Sequence, residues 1–271
     1  MASVAEQGTM LDEIIFFKRG EVSECKELYP SKLLQKSIYF ESDTVSFKSY
    51  ICRKDLSGVI AEFKRKSPSN GNINEHAKVE AISIGYMQAG AAALSVLTDE
   101  HFFGGYAADL TEARKFNYCP ILRKDFIIDE YQVIESKSIG ADAILLIAAA
   151  LSPDEIKSLA ALAVSLGLEV LLEVRSKGEI ETCLNQHIDV IGVNNRDLTS
   201  FTVDIDVSMK LIKDIPEGLV KISESGISDP KIAHGLQQAG YDGLLMGERF
   251  MKSSRPHIAC AEFIKELKEL R

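Results

Sequence analysis

Hydrophobic residues along the chain form short continuous runs, which are separated by longer stretches in which apolar residues recur at helical spacing. The runs recur about every 25 residues from residue 58 onward. They are Gly58–Phe63, Ala93–Leu97, Pro120–Leu122, Ala143–Ile147, Leu168–Val174, Val190–Val193, Leu219–Ser223 and Gly243–Met246. Because these runs are continuous rather than alternating, they predict strands buried on both faces, as in a parallel sheet.

The stretches between the runs end in glycine, as helices often do. Gly90, Gly140, Gly167 and Gly240 each stand shortly before an apolar run, where a left-handed residue would cap the preceding helix. A strand and its crossover helix need about this spacing. Eight such units predict a closed (β/α)8 TIM barrel of the α/β class. The G-x-G-x-x-G sequence of an open doubly wound sheet is absent after the first strand.

The first 55 residues lack this repeat and predict an N-terminal helical extension. The pattern gives three helices there: one that contains Leu11, Ile14, Ile15 and Lys18 and stops at Gly20, one over Ser31–Phe40, and one over Phe47–Arg53. We therefore divide the chain into the extension, residues 1–55, and a single catalytic barrel domain, residues 56–271, whose last helix covers Pro256–Leu270.

Composition narrows the class of partner. The formal net charge of −9 argues against nucleic acid and against an anionic membrane surface, because both require a basic face. Five scattered cysteines predict neither a disulfide framework nor a zinc site, and they are typical of a reduced cytoplasmic protein. The longest apolar run, Ala143–Leu151, is too short to cross a bilayer, and the N-terminus does not look like a signal peptide. We expect a cytoplasmic monomer that acts on a small molecule.

Charged residues stand at the ends of several predicted strands, where TIM barrels carry their active sites. Glu62 and Lys64 share one strand face with Ile60, and their parity aims them into the barrel mouth. The other charged residues at strand ends are Lys124, Glu173 and Glu224. Each one alone is more often a solvated surface group. Two lysines and three carboxylates in one mouth would shift one another's pKa values, which separates acid from base roles at neutral pH.

Glycine-containing loops follow the seventh and eighth predicted strands. Gly226 and Gly247 lie where such barrels bind phosphate on backbone N–H groups, and Ser67 adds a hydroxyl from the first loop. The alternative is that these glycines only permit tight turns.

The candidate cations for an anionic ligand are Arg65, Lys66, Lys124 and Arg196. No histidine lies at metal-ligand spacing, so we expect no metal. Phe102, Phe103 and Phe126 form either an aromatic wall or ordinary core.

Five segments carry a resemblance to a known family. They are Glu62–Ser69, Leu94–Asp99 with Phe103-Gly104-Gly105, Ile121–Phe126, Gly192–Leu198 and Ser223–Ile227. In this order they resemble indole-3-glycerol-phosphate synthase, and the similarity runs from about Leu11 to the C-terminus. The resemblance implies a TIM barrel with an N-terminal helical extension and no metal or organic cofactor. It implies ring closure, decarboxylation and dehydration of 1-(2-carboxyphenylamino)-1-deoxyribulose 5-phosphate, which yields indole-3-glycerol phosphate in tryptophan biosynthesis.

The resemblance also implies a role for each matching residue. The catalytic set comprises Lys124 as general acid, Glu173 as the acid/base of dehydration, Lys64 on the substrate carboxylate, Glu62 as an orienting group, Asn194 holding the substrate's bend, and Glu224 shaping the site. Ser67, Gly226 and Gly247 are implied to bind phosphate, and Ser225 to shape the site beside Glu224. Arg196 joins the substrate-binding set as one of the candidate cations. The pocket for the anthranilate ring comprises Pro68, Phe103, Phe126, Leu145, Leu198 and Leu245.

Two positions depart from the family pattern. Glu248 stands beside the expected phosphate, where some relatives carry serine, and we expect its side chain to turn away. The first loop reads Ser69-Asn70-Gly71-Asn72, without the lysine often found there.

Two other functions remain open on the sequence: a barrel isomerase that acts on a phosphorylated sugar, and a non-catalytic scaffold. The aromatic wall and the paired lysines favour the synthase.

Overall fold

Eight parallel strands close into a barrel in the computed structural model, which describes residues 8–197 and 199–271. The strands are β1 (Val59–Phe63), β2 (Ala93–Leu97), β3 (Ile121–Lys124), β4 (Ala143–Ile147), β5 (Glu169–Val174), β6 (Val190–Asn194), β7 (Val220–Glu224) and β8 (Gly243–Met246). Each strand pairs with its sequence neighbours, and β1 pairs with β8 to close the ring. The predicted fold class is confirmed, and every predicted strand overlaps an observed one.

Helices connect the strands and precede the first of them. They are α1 (Met10–Leu28), α2 (Ser31–Leu34), α3 (Phe47–Ile51), α4 (Val79–Gln88), α5 (Glu100–Phe103), α6 (Ala107–Phe116), α7 (Glu130–Ser138), α8 (Pro153–Ser165), α9 (Lys177–Cys183), α10 (Asp206–Leu211), α11 (Pro230–Ala239), α12 (Glu248–Met251) and α13 (Pro256–Glu269). Single 3-10 turns span Ala148–Ala150 and Ile212–Asp214. The four glycines predicted as caps all have positive φ. Within the described residues, no helix is both long and apolar enough to cross a membrane.

Two hydrophobic cores follow from the alternation of side chains along each strand. Val59, Ala61 and Phe63 point outward and pack with the surrounding helices. Ile60 points inward and packs in the barrel interior with residues such as Leu171 from across the ring. The strands are therefore buried on both faces, as the continuous apolar runs predict. The inward parity of Ile60 also sets the direction of Glu62 and Lys64.

The long helix α1 corrects the prediction for the N-terminal region. It continues through Gly20, which was expected to end it, and reaches Leu28. A capping box between Thr9 and Asp12 fixes its start. Gly20 keeps helical backbone because the buried face of α1 continues to Val22. Packing of that face outweighs the preference of glycine to end a helix, which amounts to about 1 kcal/mol.

The other two predicted helices of the extension are shorter than expected. The second predicted helix, Ser31–Phe40, is helical only as far as Leu34 and then continues as turns. The third, α3, inserts Phe47 and Ile51 into the lower end of the barrel interior. Whereas α3 fills this lower end, α1 lies beside the mouth. The division at residue 55 stays a prediction.

Candidate active site

A cavity of about 420 Å³ opens at the C-terminal ends of the strands. The predicted residues that line it are Glu62, Lys64, Ser67, Pro68, Phe103, Lys124, Phe126, Leu145, Glu173, Asn194, Arg196, Glu224, Ser225, Gly226, Leu245 and Gly247. These positions span more than 180 residues of sequence, and the closed ring of strands brings them to one mouth. Leu198, which was also predicted for the pocket, lies outside the described residues.

The first strand delivers one carboxylate and one ammonium. Lys64 Nζ lies 2.8 Å from Glu62 Oε1, and Ser95 Oγ donates to Glu62 Oε2 at 3.3 Å. Gly247 makes room for this carboxylate, since a Cβ there would lie 2.8 Å from Glu62 Oε1. The position therefore needs glycine for close approach.

Lys124 stands at the centre of the charged groups. Its Nζ lies 3.3 Å from Glu173 Oε2 and 3.7 Å from Glu224 Oε2. The other oxygen of Glu173 accepts from Asn194 Nδ2 at 3.0 Å, which fixes the carboxylate. We call Glu62, Lys64, Lys124, Glu173 and Glu224 the mouth cluster.

Burial and charge act against each other in the mouth cluster. For Lys124, burial favours the neutral amine, but Glu173, Glu224 and Glu62 outweigh it and raise its pKa. For Glu62, burial alone would raise the pKa, yet the ammonium groups of Lys64 and Lys124 lower it. Lys124 and Glu62 are therefore both charged at neutral pH.

Glu224 differs from the other carboxylates of the mouth cluster. Burial, with the negative charges of Glu173 and Glu62, raises the pKa of Glu224 to about 8. Its Oε1 is buried and finds no hydrogen-bond partner within residues 8–197 and 199–271. Gly192 provides the space for this oxygen, because a Cβ there would lie 2.1 Å away. Glu224 is a proton-holding carboxyl at neutral pH, and one of its oxygens is unpaired.

Another part of the cavity, which we call its cationic end, is lined by the loops after β7 and β8 and by positively charged side chains. Ser225 has φ of 68°, a left-handed conformation that is unusual for serine, and Gly226 follows with φ of 75°. Strained backbone of this kind is concentrated at functional sites. Arg196 and Lys252 line this end and both contact Glu248.

Three expectations for this mouth are wrong in detail. Arg65 points out of the barrel and pairs with Asp109, and Lys66 donates to the carbonyl of His101, so neither lines the cavity. Strand parity explains Arg65, because it follows the inward-facing Lys64. The Glu248 side chain lines the cavity instead of turning away.

Of the three phenylalanines predicted as either an aromatic wall or ordinary core, two line the cavity and one packs in the core. The rings of Phe103 and Phe126 lie 5.9 Å apart and line the cavity. Phe102 instead packs edge-on against Phe17 of α1, with ring centroids 5.7 Å apart. One face of the cavity is therefore apolar and suited to a planar ring.

A second ionic cluster, which the sequence analysis missed, lies beside the mouth. Lys18 of α1 is 1% exposed, and its Nζ lies 2.9 Å from Asp99 Oδ2 and 3.0 Å from Asp125 Oδ1. Asp125 also pairs with Arg123 at 3.0 Å. We call this group the α1 cluster; its members are Lys18, Glu21, Asp99, Arg123, Asp125 and Glu135.

The α1 cluster holds the backbone that carries the aromatic face. Asp99 accepts from the backbone N–H groups of Phe102 and Phe103, and Asp125 accepts from that of Phe126 at 2.8 Å. A lysine on the apolar face of α1 was the signal in the sequence, because a charge at a buried position needs partners. Ser95 was a similar signal, as a polar residue at an inward strand position.

The geometry defines a class of protein. A barrel mouth with a charged lysine between carboxylates, an apolar face and a cationic end is suited to proton transfer on an anionic ligand that carries a planar group. Within the described residues, no group of three or more His, Cys, Asp or Glu is arranged to hold a metal ion.

Comparison with known proteins gives the family. Residues 11–266 match the family model described as indole-3-glycerol phosphate synthase. A protein of that name from Bacteroides thetaiotaomicron is 47% identical over 95% of this chain and 98% of its own length. Another from Caldanaerobacter subterraneus subsp. tengcongensis is 42% identical over 96% and 99%. The chain belongs to the indole-3-glycerol phosphate synthase family, so the family and enzyme class predicted from the sequence are confirmed.

Proposed function

We propose that this chain forms indole-3-glycerol phosphate, CO2 and water from 1-(2-carboxyphenylamino)-1-deoxyribulose 5-phosphate. The observation that carries the proposal is Lys124: its ammonium lies between Glu173 and Glu224 in a cavity with an aromatic face and a cationic end. The family's name states the product, and the residues of the mouth supply groups for each step.

Ring closure needs an acid at the ketone. The aromatic carbon that bears the carboxylate is a weak nucleophile, so the ketone oxygen must gain a proton or a strong hydrogen bond as the carbon–carbon bond forms. Lys124 is the proposed acid, because its neighbours keep it in the ammonium form at neutral pH. Its proton becomes part of the new hydroxyl group.

The substrate carboxylate needs a cation until it leaves. Lys64 lines the cavity with only Glu62 as its ion-pair partner among the described residues, and it is the proposed partner of the substrate carboxylate. Departure of CO2 leaves the bonding electrons in the ring and restores its aromatic character. Glu62, itself held by Ser95, is proposed to orient Lys64 and the sugar hydroxyls.

Dehydration requires a proton for the departing hydroxyl and a base for the proton lost from carbon. Glu173 is the proposed acid/base; Asn194 and Lys124 hold its two oxygens. Glu224 is proposed to shape the site as the neighbouring protonated carboxyl, since its pKa is raised to about 8 by burial. Removal of hydroxyl and proton as water completes the indole ring.

Binding is proposed to divide the substrate between the two ends of the cavity. The anthranilate ring lies on the apolar face, for which we propose Pro68, Phe103, Phe126, Leu145, Leu198 and Leu245. The phosphate lies at the loop end, for which we propose Ser67, Arg196, Ser225, Gly226 and Gly247. Asn194 holds the chain bent between them, so that ring carbon and ketone meet in a reactive conformation.

Incubation of the protein with the carboxyphenylamino substrate tests the proposal. We expect indole-type fluorescence to appear at a rate proportional to enzyme, against a weak background because the chain contains no tryptophan. A barrel isomerase would instead convert the phosphoribosyl precursor of this substrate and leave the substrate itself unchanged. Absence of product from the carboxyphenylamino compound would contradict the proposed function.

We also propose a monomer in the cytoplasm. All five cysteines are free, as is usual in a reducing compartment. Light scattering coupled to size exclusion tests the first point, with the mass of a single chain expected.

A further inference from the structure

One carboxylate at the cationic end of the cavity contacts a lysine at the end of its own short helix and one side chain from each of two other loops. Glu248 Oε2 accepts from Arg196 Nη2 at 3.0 Å and from Asn70 Nδ2 at 3.1 Å. Its Oε1 accepts from Lys252 Nζ at 2.6 Å. Arg196 follows β6, Lys252 follows α12, and Asn70 lies in the first loop.

Asn70 connects this contact to a short hairpin that the sequence analysis did not anticipate. Residues Lys66–Ser67 and Gly71–Asn72 pair as antiparallel strands, and Asn70 lies in the turn between them. Asn70 Nδ2 also donates to Ser69 Oγ at 3.0 Å. The Glu248 carboxylate therefore holds the tip of the first loop toward the loops on the other side of the mouth.

The Glu248 carboxylate neutralises part of the positive charge at this end of the cavity. Arg196 and Lys252 contribute two positive charges, and Glu248 is their shared carboxylate. Burial favours the neutral acid, but Lys252 and Arg196 outweigh it and lower the pKa of Glu248, so it is ionised at neutral pH. A phosphate dianion that binds beside Gly247 would meet this carboxylate on the next residue.

We propose that Glu248 competes with the ligand's phosphate group for Arg196 and Lys252 and thereby sets the affinity of the phosphate end. The inference rests on the proposed function, which places phosphate beside Gly247. When phosphate binds, it pairs with Arg196 and Lys252 in place of Glu248. The hydrogen bond between Glu248 and Asn70, at the tip of the first loop, is then lost. Since substrate and product carry the same phosphate, this competition weakens retention of the product as well, which favours its release.

Titration with inorganic phosphate at fixed ionic strength tests the proposal. We expect Glu248→Gln, which keeps the size and an accepting oxygen but removes the charge, to bind phosphate roughly three- to tenfold more tightly than the unchanged protein. Glu248→Asp keeps the charge and is expected to bind like the unchanged protein. Glu112→Gln is the matched control, because it removes a carboxylate that pairs with an exposed lysine on α6 outside the cavity.

The salt dependence provides a second readout. The gain in Glu248→Gln is expected to shrink as salt rises, since it comes from charge and not from shape. Equal or weaker phosphate binding by Glu248→Gln, while the unchanged protein binds phosphate, would overturn the competition and leave the proposed function intact. Failure of both the unchanged protein and Glu248→Gln to bind phosphate would also overturn the competition, whereas the product assay decides the proposed function separately. Circular dichroism of each variant confirms that the fold is retained.

Discussion

The mouth cluster and the α1 cluster are built from the same kinds of residue at the same end of the barrel, yet they differ in how their charges are satisfied. Lys124 and Asp125 are neighbours in the chain and belong to different clusters, because Lys124 contacts Glu173 and Glu224 whereas Asp125 contacts Lys18 and Arg123. In the α1 cluster, Lys18 reaches three carboxylates within 3.0 Å. In the mouth cluster, Lys124 contacts its two carboxylates at 3.3 and 3.7 Å and faces a cavity.

The pKa values express the same difference. Although Asp125 is buried, Lys18 and Arg123 hold its pKa well below the usual range. The pKa of Glu224, also buried, is raised to about 8 because nearby carboxylates reinforce the effect of burial. The paired carboxylates of the α1 cluster therefore stay ionised, whereas Glu224 of the mouth cluster, which faces a cavity, holds a proton at neutral pH. Pairing with opposite charges, and not burial alone, therefore separates a structural ion cluster from a reactive one.

The largest expected effect is on turnover. Lys124→Ala is expected to lower kcat by about a thousandfold or more, since it removes the acid at the ketone. The fold is expected to remain, because the mouth can admit water where the side chain was. Product fluorescence measures kcat, and circular dichroism measures the fold.

Lys115→Ala is the control for that variant. Lys115 pairs with Glu112 on an exposed helix face outside the cavity. Its loss is expected to leave kcat within a factor of two. Near-normal kcat in Lys124→Ala would show that another group is the acid.

The second effect is on stability and concerns the α1 cluster. Lys18→Met leaves Asp99 and Asp125 buried without their shared cation, and we expect a loss of about 3–5 kcal/mol in the free energy of unfolding. Denaturant titration measures it. Lys18→Arg keeps the charge and is expected to recover part of the loss. A loss below about 1 kcal/mol in Lys18→Met would mean that the cluster is not held by its lysine.

A third test uses pH. The pKa of Glu224 is about 8 in the folded chain against 4.5 for the ordinary carboxyl group, so the folded state binds the extra proton between these values. Its contribution to stability is therefore complete below about pH 4.5 and is lost as pH rises toward 8, at about 1.4 kcal/mol per pH unit. Glu224→Gln is expected to remove this fall. Denaturant titrations at several pH values compare the two proteins.

An unchanged pH slope in Glu224→Gln would mean that Glu224 titrates normally. The α1 cluster supplies the opposite control, since the lowered pKa of Asp125 makes its contribution present above pH 4 and lost in acid. Acid unfolding of Glu224→Gln is therefore expected to resemble that of the unchanged protein.

The smallest effect is expected from an ion pair of α1 that lies in solvent. Lys26 pairs with Asp129 at 2.7 Å with 47% of the lysine side chain exposed. Lys26→Met is expected to change the free energy of unfolding by less than about 1 kcal/mol, because water screens such pairs. The comparison with Lys18→Met isolates the effect of burial on one helix. Equal losses of unfolding free energy in Lys26→Met and Lys18→Met would mean that burial does not change the contribution of these ion pairs.

Strand positions and the direction of site residues could be predicted from the sequence because both depend on local periodicity. Continuous apolar runs mark buried strands, and parity within a strand tells which charges enter the mouth, as for Glu62 and Lys64. The end of α1 was predicted wrongly because Gly20 signals a stop locally while tertiary packing continues the helix. Helix propensity is too weak to decide against such packing.

Contacts between distant loops could not be predicted. The partners of Glu248 lie at positions 70, 196 and 252, and only the folded barrel brings the first two to it. The need for glycine at position 192 likewise depends on Glu224 of the next strand. The proposed roles of the site residues rest on family resemblance and geometry, and the variants above test them.

The pairing of β1 with β8 has a consequence for biosynthesis on the ribosome. Val59 pairs with Leu244, so β1 gains its second neighbouring strand only after about 185 further residues have been synthesised. Until then both edge strands of the growing sheet have unpaired backbone N–H and C=O groups, which are prone to pair with other nascent chains. The mouth, whose first and last contributors are Glu62 and Lys252, is therefore assembled among the latest features of the molecule. A slow step in translation before residue 243 would prolong exposure of those edge strands without altering the folded enzyme.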